Sequence, residues 1–137
     1  MEAKTVLAID PGSGKCGVAV VRREEDGRIS LLWHAVVPRE ELCATLHKAQ
    51  VEHPYHMVVV GNGTTSRPLV EEIRGELPSV GILVIDEKDT TLQARERYWE
   101  HNSRFGWRRF VPSTLQVPPK PYDDFVALIL AERVLQP

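Results

Sequence analysis

Hydrophobic residues in the first part of the chain are spaced as they are in β-strands. Lys4–Asp10 is a short apolar run, and Cys16–Arg23 is a second run with β-branched character. Arg28–Val37 alternates polar and apolar side chains, and Asp26 and Gly27 end the short loop before it. An Asp-Gly pair between two such runs indicates a β-hairpin. The pattern therefore predicts three consecutive strands before the first helix.

The rest of the chain alternates between helical and strand spacing. Two short, wholly apolar runs at Met57–Val60 and Val80–Ile85 are typical of buried strands. Ser66 fits an N-cap, and Thr90 with Gln93 fits a capping box. Apolar residues recur at helical spacing in four segments, which run from after Pro38 to His53, from Ser66 to Leu77, from Thr90 to about His101, and from Tyr122 to Leu135.

The predicted elements follow the order β-β-β-α-β-α-β-α-α, which defines an α/β fold. Continuous apolar strands joined by helices pair in parallel and are covered on both faces, whereas strands joined by a hairpin pair antiparallel. We therefore expect a mixed five-stranded sheet with strands 1, 4 and 5 parallel and helices on both faces. The segment from Asn102 to Pro121 contains four prolines, which predicts an ordered loop. No linker divides the chain, so we expect residues 1–137 to form a single domain.

The composition argues against several classes of protein. A hydrophobic content of 42% is ordinary for a globular domain and argues against disorder. No apolar run approaches the roughly 18 residues that a membrane span needs, and the run Thr5–Ile9 is too short for a secretion signal. Cys16 and Cys43 match no zinc or redox spacing. We therefore expect two reduced thiols in a cytoplasmic protein that has no membrane partner.

The charge of the chain is unevenly distributed. A net charge of −2 does not by itself indicate a nucleic-acid-binding protein. Residues 88–121, however, carry 7 basic and 3 acidic side chains. Phosphate contacts come from such local patches rather than from the overall charge. A solvated basic face explains the same surplus, so charge alone does not decide between the two.

Acidic residues follow the ends of two predicted parallel strands and open the last helix. Asp10 ends the first strand, and Asp86 and Glu87 follow the fifth. Asp123 and Asp124 begin the last helix. Each has a purely structural explanation, either in a turn or at a helix N-terminus. Because the carboxyl ends of parallel strands open onto one crevice, we nevertheless expect the carboxylates to converge. Such a cluster is unfavourable without a cation, and its hard oxygen atoms suit Mg²⁺ or Mn²⁺.

The chain resembles the YqgF/RuvX family in four segments, which read IDPGSGKCGVAVV, VVVGNGTTS, IDEKDTTLQAR and YDDFVALILAE. This family belongs to the ribonuclease-H-like nucleases and is related to the Holliday-junction resolvase RuvC. The resemblance covers nearly the whole chain and implies a ribonuclease-H-like fold with a metal-dependent nuclease activity. Family members are linked to maturation of the 5′ end of 16S ribosomal RNA and, by analogy with RuvC, to branched DNA.

The resemblance also assigns roles to the acidic residues. By position, Asp10, Glu87 and Asp123 match the catalytic carboxylates of the family and are the implied metal ligands. Asp124 has no fixed counterpart in the family pattern. It lies one helical position from Asp123 and is a further catalytic candidate that would share or replace that role.

Other positions match the family outside the carboxylates. Lys15 and Gly17 match the turn that follows the first aspartate. Thr90 and Thr91 match the D-E-x-x-T-T segment, and Ala127 matches a small residue in the last helix.

The chain departs from the family pattern after the fourth strand. Gly61, Asn62 and Gly63 stand where the family usually has Gly-Leu-Pro, and no carboxylate stands where RuvC has one. Asn62 could still supply a neutral ligand or a phosphate contact.

Our hypothesis is that the three carboxylates hold one or two Mg²⁺ or Mn²⁺ ions. Such ions activate a water for attack on a phosphodiester and neutralise charge on the transferring phosphoryl group. The partner is then nucleic acid, and a branched substrate that is cut symmetrically would favour a homodimer. Six polar or basic residues are the predicted contacts to the substrate: Lys15, Asn62, Arg95, Arg108, Arg109 and Lys120.

Several of these contacts have alternatives. Lys15 could equally be a solvated loop lysine. Tyr98 and Trp107 could stack on unpaired bases, although aromatic residues at such spacing more often pack in a core.

Two other interpretations of the whole chain stay open. A non-catalytic module with the same fold would bind nucleic acid or a protein, with the missing carboxylate after the fourth strand marking a lapsed site. Alternatively, Asp10–Lys15 resembles the phosphate loop of actin-like and sugar-kinase ATPases. Those folds place ATP between two domains, and this chain supplies one. A Walker loop is excluded because its G-x-x-x-x-G-K-[ST] spacing is absent.

Overall fold

The computed structural model describes residues 2–63, 66–86, 90–101 and 123–135. Within these ranges the strands are β1 (Lys4–Asp10), β2 (Lys15–Arg23), β3 (Ile29–Pro38), β4 (Met57–Gly61) and β5 (Gly81–Ile85). The helices are α1 (Leu42–Glu52), α2 (Ser66–Glu76), α3 (Thr90–His101) and α4 (Asp123–Leu135), and a 3₁₀ turn at Arg39–Glu41 precedes α1. The predicted loop at 102–121 and the predicted site residues Glu87, Arg108, Arg109 and Lys120 lie outside the described residues.

Most element bounds agree with the predictions to within a residue or two. The first helix differs because its opening residues, Arg39–Glu41, form a 3₁₀ turn rather than an α-helix. The two predicted N-caps differ by one position, since Ser66 and Thr90 are the first residues of α2 and α3. Local sequence signals place helix ends only to within one or two residues, which accounts for this shift.

The five strands form one mixed sheet in the order β3-β2-β1-β4-β5. The β1–β4 and β4–β5 pairs are parallel, whereas β1–β2 and β2–β3 are antiparallel. In the β1–β4 register, Ile9 lies opposite Val60. The expected mixed sheet with strands 1, 4 and 5 parallel is therefore confirmed, and Asp10 and Gly61 end at the same edge.

The hairpin between β2 and β3 also matches its prediction. Gly27 has a φ of +89°, a conformation that favours glycine. Its amide donates to the carbonyl of Glu24 at 2.9 Å, and the amide of Arg28 donates to the Asp26 carboxylate at 2.9 Å. The Asp-Gly pair therefore supplies both the backbone freedom and the side-chain acceptor that this turn uses.

Helices cover both faces of the sheet, as expected for buried parallel strands. Successive residues of β1 face opposite sides, so Leu7 and Ile9 join the core under α1 and α2. Val6 and Ala8 join the core under α3 and α4. The small side chain of Ala8 is completely buried beneath α4.

The structure also shows the state of the two cysteines and the lengths of the helices. Cys16 is buried and Cys43 is half-buried, and both are free thiols. Burial and the nearby Glu72 carboxylate raise the pKa of Cys43 to about 11, so this thiol is protonated at neutral pH. None of the helices in the described ranges is long and apolar enough to cross a membrane.

Candidate functional site

An open cavity of about 530 Å³ lies where β1 ends and α4 begins. Asp10 is the last residue of β1, Lys15 is the first residue of β2, and Asp123 is the first residue of α4. All three line the cavity, together with the four turn residues at positions 11–14. The structure thus brings together three predicted site residues that come from separate parts of the chain.

Gly17 allows α4 to begin directly against the sheet. It pairs with Asp10 across the antiparallel β1–β2 ladder. A Cβ atom built on Gly17 would lie 1.9 Å from the backbone oxygen of Asp123 and 2.5 Å from the backbone nitrogen of Asp124. Real Cβ atoms essentially never approach other atoms within 3.0 Å. The missing side chain at Gly17 therefore lets the first turn of α4 rest on β2, beside Asp10.

Lys15 and Asp123 form an open ion pair at the cavity. The Lys15 Nζ lies 3.7 Å from the Asp123 Oδ2, and the two side chains are 54% and 33% exposed. Exposed pairs of this kind contribute little to stability. The ammonium group is therefore free to exchange its carboxylate partner for an anionic ligand. The positive end of the α4 dipole is at the same place and favours negative charge there.

Asp124 faces away from the cavity, although it is next to Asp123 in sequence. Its side chain is 10% exposed, and its Oδ2 lies 2.6 Å from the Nδ1 of His34 on β3. Its Oδ1 accepts a hydrogen bond from the backbone nitrogen of Phe125 at 3.1 Å. Of the two adjacent aspartates, the geometry thus favours Asp123 as the one that can reach a ligand in the cavity.

His34 is the partner of Asp124 and was not among the predicted site residues. The hydrogen bond with Asp124 raises the pKa of His34, and partial burial opposes this effect only in part. The imidazole also packs against the ring of Phe125, with 5.2 Å between the ring centroids. The available signal was a single histidine within the apolar run of β3, LLWHAVV. This signal is weak, because the His34 side chain is 40% exposed and water could also have satisfied its ring nitrogens.

The structure places other predicted residues away from this cavity. Asn62 directly follows β4, and its backbone nitrogen donates to the carbonyl of Ile85 at 2.9 Å. Asn62 and Arg95 are not among the residues that line the cavity. Tyr98 is 6% exposed and packs edge-on against Trp99 and Phe125, so the core interpretation holds for its ring.

The carboxylate set is incomplete within the described residues. No group of three or more His, Cys, Asp or Glu side chains in those ranges is arranged to hold a metal ion. Two of the three predicted ligands, Asp10 and Asp123, line the cavity. The third, Glu87, lies outside the described part of the chain, directly after Asp86.

The sheet order and the two helical layers are those of a ribonuclease-H-like fold. No protein-family model matches the chain, and no curated protein sequence matches it.

Solved structures match the chain in fold. The Fowlpox virus resolvase, solved in a complex with Holliday junction DNA, has a TM-score of 0.65 and 11% identity, and the match covers 96% of each chain. Thermus thermophilus RuvC has a TM-score of 0.57 and 19% identity, over 93% of this chain and 90% of that one. The yeast mitochondrial Holliday junction resolvase Ydc2 has a TM-score of 0.55 and 12% identity, over 96% of this chain and 78% of that one. At these identities the similarity shows a shared fold, and the narrower resemblance to the YqgF/RuvX family stays a prediction.

Proposed function

We propose that this chain is a divalent-metal-dependent nuclease that hydrolyses phosphodiester bonds of branched DNA at the cavity where β1 ends. The observation that carries the proposal is that Asp10 and Asp123, 113 positions apart in sequence, line one open cavity with Lys15 beside them. The fold neighbours support it, because the Fowlpox virus protein and Thermus thermophilus RuvC were both solved with Holliday junction DNA.

The donor atoms at the cavity fit a hard divalent cation. Asp10 and Asp123 offer carboxylate oxygens, which Mg²⁺ and Mn²⁺ prefer, and none of the described residues that line the cavity carries a sulfur atom. Glu87 is the proposed third ligand by its position in the sequence. When bound, such an ion supplies Lewis-acid stabilisation of the phosphoryl oxygens and makes a water more acidic.

The protein's own groups orient the substrate. The Lys15 ammonium lies 3.7 Å from the Asp123 carboxylate and is 54% exposed, so it is placed to donate to a non-bridging phosphate oxygen at the cavity mouth. The N-terminus of α4 adds a fixed positive partial charge near the same point. The cavity is open, about 530 Å³ in volume and lined by the residues of the turn between β1 and β2, which leaves room for a polynucleotide backbone.

The test is cleavage of a labelled four-way DNA junction by the purified full chain with Mn²⁺ or Mg²⁺. We expect wild type to cut the junction and Asp10→Asn to lose cleavage by at least about 100-fold while it still binds the junction. Asp26→Asn is the matched control, since Asp26 caps the β2–β3 turn, and an asparagine oxygen can accept the same hydrogen bond. We expect this control to cut like wild type.

Two outcomes would contradict the proposal. If wild type binds the junction and cuts neither it nor a linear duplex, the chain is a non-catalytic binding module. If it cuts a structured RNA that carries the 5′ end of pre-16S ribosomal RNA and leaves the junction intact, the nuclease chemistry stands and branched DNA is the wrong substrate.

A further inference from the structure

We propose that His34 is a positioning residue for this site: it holds the first turn of α4 on the sheet through Asp124 and so fixes where the Asp123 carboxylate lies. This inference rests on the proposed nuclease function. It assigns a role to a pair of side chains that line no part of the cavity, His34 and Asp124.

The contact between His34 and Asp124 is short, and it joins a partly exposed imidazole, 40% exposed, to a carboxylate that is nearly buried. The Nδ1–Oδ2 distance is 2.6 Å, and the Asp124 side chain is only 10% exposed. A carboxylate in such a place is unfavourable unless it is hydrogen-bonded. Loss of the hydrogen bond to His34 would therefore be unfavourable for Asp124, and this bond keeps the first turn of α4 against β3.

Two further contacts fix the same turn. The His34 ring packs against Phe125, the next residue of α4, at a centroid distance of 5.2 Å. On the neighbouring strand, Gly17 lies directly beneath the backbone of Asp123 and Asp124. The first turn is thus held by β3 through side chains and by β2 through backbone contact.

The two aspartates at the start of α4 consequently contact different parts of the protein. Consecutive side chains on a helix point about 100° apart, so when Asp124 is directed to β3, Asp123 is directed elsewhere. In the structure it is directed to the cavity, where its carboxylate meets Lys15. If the bond to His34 is lost, the helix start can rotate or lift, and the Asp123 oxygen atoms move relative to Asp10. Displacements near 1 Å at a reacting centre lower rates by about 100-fold.

Two substitutions separate the hydrogen bond from the packing. His34→Phe keeps a ring against Phe125 and removes the donor, whereas His34→Asn keeps an N–H donor near the Nδ1 position and removes most of the ring. His47→Phe is the matched control, because His47 also bonds a carboxylate, Glu76 at 3.0 Å, on the opposite face of the sheet.

The primary measurement is Mn²⁺ binding to the protein without nucleic acid, by isothermal titration calorimetry. We expect His34→Phe to weaken Mn²⁺ binding by about 10–100-fold, as loss of a group that orients a metal ligand typically does. We expect His34→Asn to recover most of that loss, and His47→Phe to bind Mn²⁺ like wild type. In junction cleavage, His34→Phe should lower kcat and leave KM for the junction nearly unchanged, because Lys15 and the cavity walls are intact.

The behaviour of wild type separates failure of this inference from failure of the proposed function. If wild type binds Mn²⁺ and cuts the junction, and a folded His34→Phe does both equally well, His34 has only a structural role and the inference is wrong. If His34→Phe does not fold, His34→Asn decides: Mn²⁺ affinity below 1/10 of wild type in this donor-retaining variant would overturn the inference. If wild type itself neither binds Mn²⁺ nor cuts nucleic acid, the proposed function fails and the inference fails with it.

Discussion

The close approach of α4 to β2 at Gly17 predicts that a side chain at this position both destabilises the fold and displaces Asp123. In Gly17→Ala, the new Cβ would begin 1.9 Å from the Asp123 oxygen, whereas ordinary contact starts at 3.4 Å. The difference between these distances requires the start of α4 to retreat by about 1.5 Å. Forced overpacking of this kind destabilises proteins by about 1–3 kcal/mol. A shift of this size at Asp123 should also lower any cleavage rate by about 100-fold or more.

Urea unfolding and junction cleavage measure the two effects separately. With a typical urea dependence of roughly 2 kcal/mol per molar, Gly17→Ala should lower the unfolding midpoint by about 0.5–1.5 M. Gly75→Ala is the matched control, since nothing lies within 4 Å of a Cβ at this helical position. It should be as stable as wild type or more stable by up to about 1 kcal/mol. If Gly17→Ala unfolds at the wild-type urea concentration and keeps wild-type cleavage, α4 does not need a residue without a side chain at position 17.

Two predictions test the packing that surrounds the site. Arg97 makes a bidentate ion pair with Glu132 of α4, and Glu132 is only 7% exposed. Because Arg97→Met would leave this carboxylate buried without its partner, we expect it to destabilise the fold by about 1–3 kcal/mol at pH 7. Burial raises the pKa of Glu132 above its usual 4.5, so near pH 4 the carboxyl is largely protonated and no longer needs a cationic partner. The destabilisation caused by Arg97→Met should therefore be smaller in urea unfolding at pH 4 than at pH 7. Equal destabilisation at both pH values would contradict the ion pair as its cause. Burial raises the pKa of Tyr55 to about 12, and its hydroxyl donates to the Leu46 carbonyl at 2.8 Å, so Tyr55→Phe should cost about 1 kcal/mol at pH 8. Wild type should lose that advantage between pH 10 and pH 12, where the unfolded tyrosine ionises first, and an advantage that persists at pH 12 would argue against the bond.

The sheet could be predicted from the sequence because its signals are local. Apolar runs, an Asp-Gly turn and helical periodicity all act within about ten residues, and they located every strand and α-helix of the described residues. The parallel pairing of β1, β4 and β5 followed from the helices between them. The 3₁₀ turn at Arg39–Glu41 was missed, since its residues carry no signal that distinguishes it from a first helical turn.

The site could be predicted only in part, because its precision depends on contacts between distant elements. Strand ends indicated where Asp10 would lie, and the start of the last helix indicated Asp123. What distinguishes Asp123 from Asp124 in the structure is that Asp124 bonds His34, 90 positions away in sequence, whereas Asp123 lines the cavity. No local pattern encodes that contact, and the spacing that favoured a core position for Tyr98 did not identify Phe125 as its partner.

The proposed nuclease function requires that the carboxylates at the end of β1 and the start of α4 together bind a divalent cation. A crystal of the full chain soaked in Mn²⁺, with anomalous diffraction measured at the manganese edge, tests it most directly. We expect an anomalous peak with carboxylate oxygens of Asp10, Asp123 and Glu87 at about 2–2.5 Å. A structure without such a peak, in which the three carboxylates lie more than about 8 Å apart, would contradict it, because no single ion or closely spaced pair could then be held by all three.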